Sequence, residues 1–155
     1  MIPYGRQSID EDDIAAVTAA MRGERITQGS AVPEFEAALR TATGAESVAA
    51  VSSGTAALHC AYAACGIRDG AEVVIPAITF AATAGAARAL GAVPIFADVD
   101  QDTLTIDPRS VEKILARAQR RVSAVVAVDY AGCPCDYSVL RALTQHHGVL
   151  LISDA

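Results

Sequence analysis

Short apolar runs rich in β-branched residues alternate with amphipathic segments over most of the chain after Gly44. Several of these runs are continuously apolar, which is typical of strands that are buried on both faces of a sheet. The predicted strands span residues 47–52, 72–76, 93–98, 122–129 and 149–153. Because strands alternate with helical patterns, the chain is predicted to form a mainly parallel α/β sheet with helices on both faces.

Capping residues and glycines mark the helices that connect these strands. Two helices are predicted over residues 54–65 and 80–90, each of them followed by a glycine. A third begins after Asp107, with proline at its first position, and a fourth runs from a cap at Asp136 to Gly148. Aspartate before a helix and glycine after it are common start and stop signals.

Two further helices are predicted near the beginning of the chain. An S-x-x-E capping box from Ser8 to Glu11 precedes an apolar-periodic run, and Gly23 ends this helix. The second helix is predicted over residues 32–42, with Gly44 after its end. We expect an N-terminal arm and helix over residues 1–28 and a larger domain over residues 29–155.

Composition narrows the classes of protein to consider. The 155 residues are 52% hydrophobic and 19% charged, with a net charge of −6. An acidic chain without a basic stripe does not favour a nucleic-acid partner, because phosphate binding needs clustered cations. No apolar run approaches the ~20 residues of a membrane helix, and no signal peptide is predicted. The sequence therefore favours a cytoplasmic protein.

The cysteines match neither a disulfide framework nor a zinc-site spacing. They are Cys60, Cys65, Cys133 and Cys135. We expect all four to be small, buried or half-buried apolar side chains in a reducing compartment, and no metal site is predicted.

The segment V-S-S-G-T-A-A-L-H, residues 51–59, is the strongest local signal for a ligand. A predicted strand ends there, and a helix begins after Gly54. Backbone N–H groups and the hydroxyls of Ser53 and Thr55 would then lie at a helix N-terminus, which suits a phosphate group. A plain Ser/Thr cap on a strand-to-helix turn explains the same residues, so both interpretations stay open.

Two more residues are predicted at the same edge of the sheet. Asp154 ends the last predicted strand, where open α/β sheets bind ligands, and a carboxylate there could pair with a protonated pyridine nitrogen. Taken alone, it is better explained as a cap for a following helix. Phe80 follows another strand and could stack on an aromatic ring, although a phenylalanine at a helix start more often lies in a core.

The order and spacing of these segments resemble the DegT/StrS (DnrJ/EryC) sugar aminotransferases, which belong to the fold-type-I pyridoxal-phosphate (PLP) enzymes. The matching segments are I-P-Y-G-R-Q, I-T-Q-G-S-A-V-P-E-F-E with Ser30 in place of the usual proline, S-S-G-T-A-A-L-H, P-A-I-T-F-A-A-T, A-V-P-I-F-A-D-V-D, V-D-Y-A-G-C-P-C-D and I-S-D-A. The subgroup it resembles most makes UDP-linked 4-amino-6-deoxy sugars on the pseudaminic acid route. The resemblance implies a three-layer αβα large domain, a PLP cofactor and a homodimer.

The resemblance also implies roles for individual residues. Ser53, Gly54 and Thr55 would hold the cofactor phosphate, Phe80 would stack on its ring, and Asp154 would pair with its ring nitrogen. The residues implied near a nucleotide-sugar substrate and an amino donor, expected to be glutamate, are Tyr4, Thr27, Gln28, Gly29 and Tyr130.

The resemblance breaks at the lysine that forms the Schiff base with the cofactor, which this family carries beyond the Asp154 motif. The one lysine of the chain, Lys113, lies among surface-type charges and is not assigned as catalytic. We therefore expect a fragment of a longer enzyme. The alternatives are a non-catalytic remnant or binding module, and a PLP-dependent sugar dehydratase of the same family. A Rossmann dinucleotide enzyme fits less well, because no G-x-G-x-x-G follows a strand.

Overall fold

The computed structural model describes residues 5–27, 29–117 and 122–155. The chain divides into two compact units, residues 1–50 and 51–155, and each is described by itself. The predicted boundary between residues 28 and 29 stays a prediction.

Over residues 5–27 and 29–50, the first unit contains two helices, α1 (Glu11–Arg22) and α2 (Ala31–Thr43). The predicted cap at Ser8 is wrong. Asp10 caps α1 instead, because its carboxylate accepts hydrogen bonds from the N–H groups of Asp12 and Asp13. The Asp13 carboxylate in turn accepts a hydrogen bond from the Asp10 N–H at 3.1 Å, so the capping box lies two residues later than predicted.

The predicted end of α2 is confirmed. Gly44 adopts a left-handed conformation with φ of 70°, and its N–H donates to the Arg40 carbonyl. Glycine takes this conformation without steric cost and ends the helix there. Within this unit, the Glu36 carboxylate also accepts a hydrogen bond from the Ala50 N–H at 2.8 Å.

The second unit alternates helices and strands. In chain order these are α3 (Gly54–Ala64), β1 (Glu72–Pro76), α4 (Ala81–Ala89), β2 (Val93–Ala97), α5 (Pro108–Arg117), β3 (Val122–Val128), a 3₁₀ turn (Tyr130–Gly132), α6 (Tyr137–His147) and β4 (Leu150–Asp154). Each of these elements lies within one residue of its predicted bounds, apart from the end of α5, for which no position was predicted, and the 3₁₀ turn, which was not predicted.

The four strands form one parallel sheet in the order β2-β1-β3-β4. The chain passes from β1 to β2 on one side and then crosses β1 to form β3 on the other. The strand order therefore reverses between β1 and β3, and α/β sheets of this kind bind ligands at the carboxyl ends of the strands beside such a reversal.

The strand predicted over residues 47–52 is not formed. Its two valines suit a strand, but a strand also needs a neighbour for its N–H and C=O groups. Within the described ranges, the four strands of the sheet pair only with one another. The segment therefore lacks the ladder that would make it a strand.

Successive strand residues point into two separate cores, one on each face of the sheet. Val73 and Ile75 of β1 pack with Tyr62 of α3 and Ala86 of α4. Val74, between them, packs with the α5 and α6 residues on the opposite face. The prediction of a sheet covered on both faces is thereby confirmed.

One expectation about the cysteines is wrong, since Cys60 is exposed. It lies midway between Leu58 and Tyr62 on α3, and both of these are buried. Residues two positions apart on a helix face different directions, so the face that buries Leu58 and Tyr62 leaves Cys60 in solvent. In the described part of the chain no helix is long and apolar enough to cross a membrane.

Candidate functional site

Asp154 is placed by its register in the sheet. It is the last residue of β4 and lies opposite Val128 of β3. Ile152, two residues earlier on the same face of β4, packs against the core formed with α3 and α4. Because strand side chains repeat every second residue, Asp154 also points to that face, at the carboxyl edge of the sheet.

A buried threonine holds the Asp154 carboxylate. The Thr83 hydroxyl donates a hydrogen bond to Asp154 Oδ2 at 2.7 Å. Thr83 lies in the first turn of α4 and is 0% exposed. The N-terminal turn of α4 therefore reaches across the edge of the sheet to the end of β4, and the two residues meet although they are 71 positions apart.

Two more hydroxyls fix Thr83. The Thr79 hydroxyl lies 2.7 Å from that of Thr83, and Thr83 has already given its one hydroxyl proton to Asp154, so Thr79 is the donor. The Tyr62 hydroxyl donates to the Thr83 carbonyl at 3.0 Å. Burial, and secondarily the negative charge of Asp154, raise the pKa of Tyr62, which keeps this hydroxyl protonated.

A second hydroxyl chain lies on the opposite face of β4. The Tyr137 hydroxyl donates to Asp129 Oδ1 at 2.9 Å and lies 2.7 Å from Ser153 Oγ, so Ser153 is the donor to Tyr137. The Cys135 N–H also donates to Asp129 Oδ1 at 2.9 Å. The ends of β3 and β4 are thus bound together by side chains as well as by the ladder.

Two side chains of this second group of hydrogen-bonded residues, Cys135 and Tyr137, have raised pKa values and are held in their neutral forms. Burial, and secondarily a hydrogen bond with Asp129, raise the pKa of Cys135 to about 11. Burial is also the main cause that raises the pKa of Tyr137. At neutral pH both side chains are therefore protonated, which leaves Asp129 as the acceptor of the cluster.

The N-terminus of α3 has the form that the sequence predicted. Ser53 caps the helix, since its hydroxyl accepts a hydrogen bond from the Ala56 N–H at 3.2 Å. Among the described residues, the N–H groups of Gly54 and Thr55 have no hydrogen-bond acceptor, and both residues are exposed. A Cβ at Gly54 would meet nothing within 4 Å. The turn therefore presents two free N–H groups and the Thr55 hydroxyl to solvent, as an anion site requires.

Phe80 ends the loop that follows β1, and Tyr130 lies in the loop that follows β3. Phe80 occupies the N-cap position of α4 and is 79% exposed, so it does not belong to the core. Tyr130 opens the 3₁₀ turn after β3, and Ala131 beside it has a positive φ of 52°. The role of each aromatic ring stays a prediction.

The remaining predicted site residues belong to the first unit or lie outside the described ranges. Tyr4 and Gln28 lie outside the residues that the structure describes. Thr27 and Gly29 are exposed or half-exposed within the first unit. A Cβ at Gly29 would lie 2.7 Å from the Arg25 carbonyl oxygen, so the backbone there requires a glycine.

Sequence reasoning did not identify Thr83, Tyr62 or the hydroxyl chain of Tyr137. A partial signal exists, because Thr79 and Thr83 are four residues apart around the start of a helix and can therefore lie on one side of it. Tyr62 and Tyr137 carry no such signal, since each reaches its partners through packing between separate elements.

With the fold and the geometry of the site described, the chain can be compared with known proteins. The model of the DegT/DnrJ/EryC1/StrS aminotransferase family matches residues 7–155. The chain belongs to this family. The family expected from the sequence is thereby confirmed.

Solved structures agree with this assignment. The chain is similar to S. venezuelae DesV in complex with a ketimine intermediate, at 32% identity and a TM-score of 0.86, over 92% of this chain and 38% of that one. It is also similar to the PLP form of the putative sugar aminotransferase Spr1654 from Streptococcus pneumoniae. The identity is 27% and the TM-score 0.87, over 96% of this chain and 38% of that one.

A third similar structure is Helicobacter pylori PseC, described as an aminotransferase involved in the biosynthesis of pseudoaminic acid. The identity is 29% and the TM-score 0.89, over 99% of this chain and 41% of that one. The fold-type-I architecture is therefore confirmed. The chain spans about two fifths of the length of the relatives it matches.

Proposed function

We propose that this chain forms the cofactor-holding part of a PLP-dependent aminotransferase that acts on a nucleotide-linked 4-keto-6-deoxy sugar. The observation that carries the proposal is the Asp154 carboxylate, held at the carboxyl edge of the sheet by a buried hydroxyl in a member of this family. Glutamate as amino donor, the UDP-linked sugar and a homodimeric assembly are parts of the same proposal.

The residues present fit the three parts of PLP. A phosphate needs N–H donors, and the exposed start of α3 offers those of Gly54 and Thr55. A protonated ring nitrogen needs a carboxylate, which Asp154 supplies. An aromatic ring needs a flat apolar partner, and Phe80 presents a ring that is 79% exposed.

Bound there, PLP would act as an electron sink during the transfer of the amino group. The chain's own residues bind and orient. The α3 turn would anchor the phosphate, and Phe80 would cover one face of the ring. Asp154 would hold a proton on the ring nitrogen, because the carboxylate favours the charged form of a neighbouring base. Tyr130, on the loop after β3, would contact the substrate.

No lysine of this chain belongs to that group of residues. Lys113 is exposed on α5 and lines a groove of about 520 Å³ along the edge strand β2, which does not include Asp154 or Thr83. Amino transfer of this type needs a lysine that binds the cofactor covalently. Activity is therefore proposed for a protein that supplies this lysine from outside these 155 residues.

The test is to express the complete reading frame that encodes this chain and to incubate the product with PLP, glutamate and UDP-linked 4-keto-6-deoxy sugars. We expect 2-oxoglutarate and an amino sugar, measured by mass spectrometry, and sedimentation as a dimer. An Asp154→Asn variant serves as the control for the cofactor site.

Other products would point to the alternatives. Loss of water from the sugar without amino transfer would indicate the dehydratase. A reading frame without a suitable lysine, whose product does not bind PLP, would indicate the non-catalytic remnant. Either result would refute the aminotransferase proposal.

A further inference from the structure

The two oxygens of the Asp154 carboxylate have different surroundings. Oδ2 accepts the Thr83 hydroxyl at 2.7 Å, whereas Oδ1 receives no hydrogen bond from the described residues. The carboxylate is half-buried at the end of β4. One oxygen is therefore tied to the protein and the other remains available to a ligand.

Thr83 itself has little freedom to move. Its side chain is fully buried, its hydroxyl accepts from Thr79, and its carbonyl accepts from Tyr62. A threonine on a helix has few χ1 rotamers, and both hydrogen bonds of its hydroxyl are already assigned. The proton that Thr83 offers to Asp154 therefore comes from a fixed position.

We propose that Thr83 is a positioning residue, which fixes the Asp154 carboxylate through Oδ2 so that Oδ1 faces the ring nitrogen of the cofactor. This inference rests on the proposed function. A hydrogen bond to a carboxylate is about twice as strong as one between neutral groups, and the Thr79 donor polarises it further. Without the hydrogen bond from Thr83, the Asp154 carboxylate would be free to rotate, and part of its charge would no longer be directed at the ring nitrogen.

The chain contains a matched control. Thr144 on α6 is also a buried threonine, 2% exposed, and its hydroxyl donates to the Arg141 carbonyl at 3.1 Å. It lies on the face of the sheet opposite to the Thr83 cluster, because its helix packs on the other core. Thr144→Val therefore removes a buried hydroxyl without touching Asp154.

The experiment compares variants of the protein expressed from its complete reading frame. PLP is removed, and its dissociation constant is measured by equilibrium dialysis, together with the melting temperature of each apo protein. Thr83→Val is expected to weaken PLP binding by up to about tenfold, because a carboxylate that is no longer held in place must be ordered when the cofactor binds. Thr83→Ser restores the donor and is expected to bind within about twofold of the wild type.

Thr144→Val is expected to lower the melting temperature and leave the affinity for PLP unchanged. Unchanged PLP affinity in Thr83→Val, or an equal loss in Thr144→Val, overturns the positioning role. If Thr83→Val does not fold, Thr79→Val decides, because this half-buried residue supplies the upstream donor. About threefold weaker binding supports the proposal, and unchanged binding overturns it.

Asp154→Asn separates this inference from the proposed function. If Asp154→Asn weakens PLP binding and Thr83→Val does not, the positioning role fails and the proposed cofactor site stands. If neither variant changes PLP binding, the assignment of Asp154 to the cofactor fails, and the role of Thr83 fails with it.

Discussion

The Tyr62 hydroxyl offers a sharp test of how α3 and α4 are joined. Tyr62 is 0% exposed, and its hydroxyl donates to the Thr83 carbonyl at 3.0 Å. Tyr62→Phe removes this bond and keeps the ring. The Thr83 carbonyl keeps its helical partner four residues later, so no buried group is left without a hydrogen bond. The expected loss of unfolding free energy is about 1 kcal/mol, the net value of one hydrogen bond.

Removal of the ring has a much larger cost. Tyr62→Ala leaves a cavity in the core between α3, α4 and the sheet, and aromatic-to-alanine changes in a core cost about 3 to 5 kcal/mol. Urea unfolding of the apo protein, followed by far-UV circular dichroism at pH 8, distinguishes the two values. If Tyr62→Phe costs as much as Tyr62→Ala, the hydroxyl and not the packing dominates, and the reasoning is wrong.

The pH dependence gives an independent check. Burial and the charge of Asp154 raise the pKa of Tyr62 above the ordinary value of 10.0, so folding favours the protonated phenol. The resulting stabilisation is complete below pH 10 and is lost as the pH rises through the raised pKa. Phenylalanine has no group that titrates. The stability deficit of Tyr62→Phe relative to the wild type should therefore shrink as the pH rises from about 9 to about 11, around the ordinary pKa of tyrosine. A deficit that stays constant over this range would contradict the assigned cause.

Three more predictions concern other parts of the fold. Ser53→Ala should lower the unfolding free energy by about 1 kcal/mol and Ser53→Gly by a few tenths, since glycine is the better cap; equal losses in thermal unfolding would refute the capping role. Gly148→Ala should cost about 1 kcal/mol for its left-handed backbone, with φ of 63°. Gly91→Ala should cost more, because its Cβ would also lie 2.7 Å from an Asp69 side-chain oxygen, and a smaller cost than at Gly148 would contradict this contact. Iodoacetamide at about pH 8 should modify Cys60 and spare Cys135, whose pKa is raised to about 11; peptide mass spectrometry would detect the opposite order.

The sheet was largely predictable because its strands are buried on both faces. The apolar runs of β1 and β3 needed no tertiary information to be identified, and their ends coincide with polar or turn residues. The segment 47–52 contains two valines but has no ladder partner among the described residues. Composition records a preference for strand, whereas pairing decides whether the strand forms.

The site was predictable only where one residue carries the signal. Ser53 and Asp154 could be identified because each stands at the end of a predicted element. Thr83 could not, because its role depends on a partner 71 residues away. The shift of the first cap from Ser8 to Asp10 has another cause. Ser8 and Asp10 are both residue types that cap helices, and the spacing of the sequence alone does not show which of them is the N-cap.

The order of the strands also has a consequence for the growing chain. β1 lies inside the sheet, between β2 and β3, and Glu72 pairs with Val122. At synthesis rates of about 5–20 residues per second, β1 is made roughly 3–10 s before β3. During that time β1 and β2 can form one parallel unit over α4, while the other edge of β1 stays open. Until β3 arrives, that edge offers its free N–H and C=O groups to any strand it meets, including the same segment of a neighbouring nascent chain.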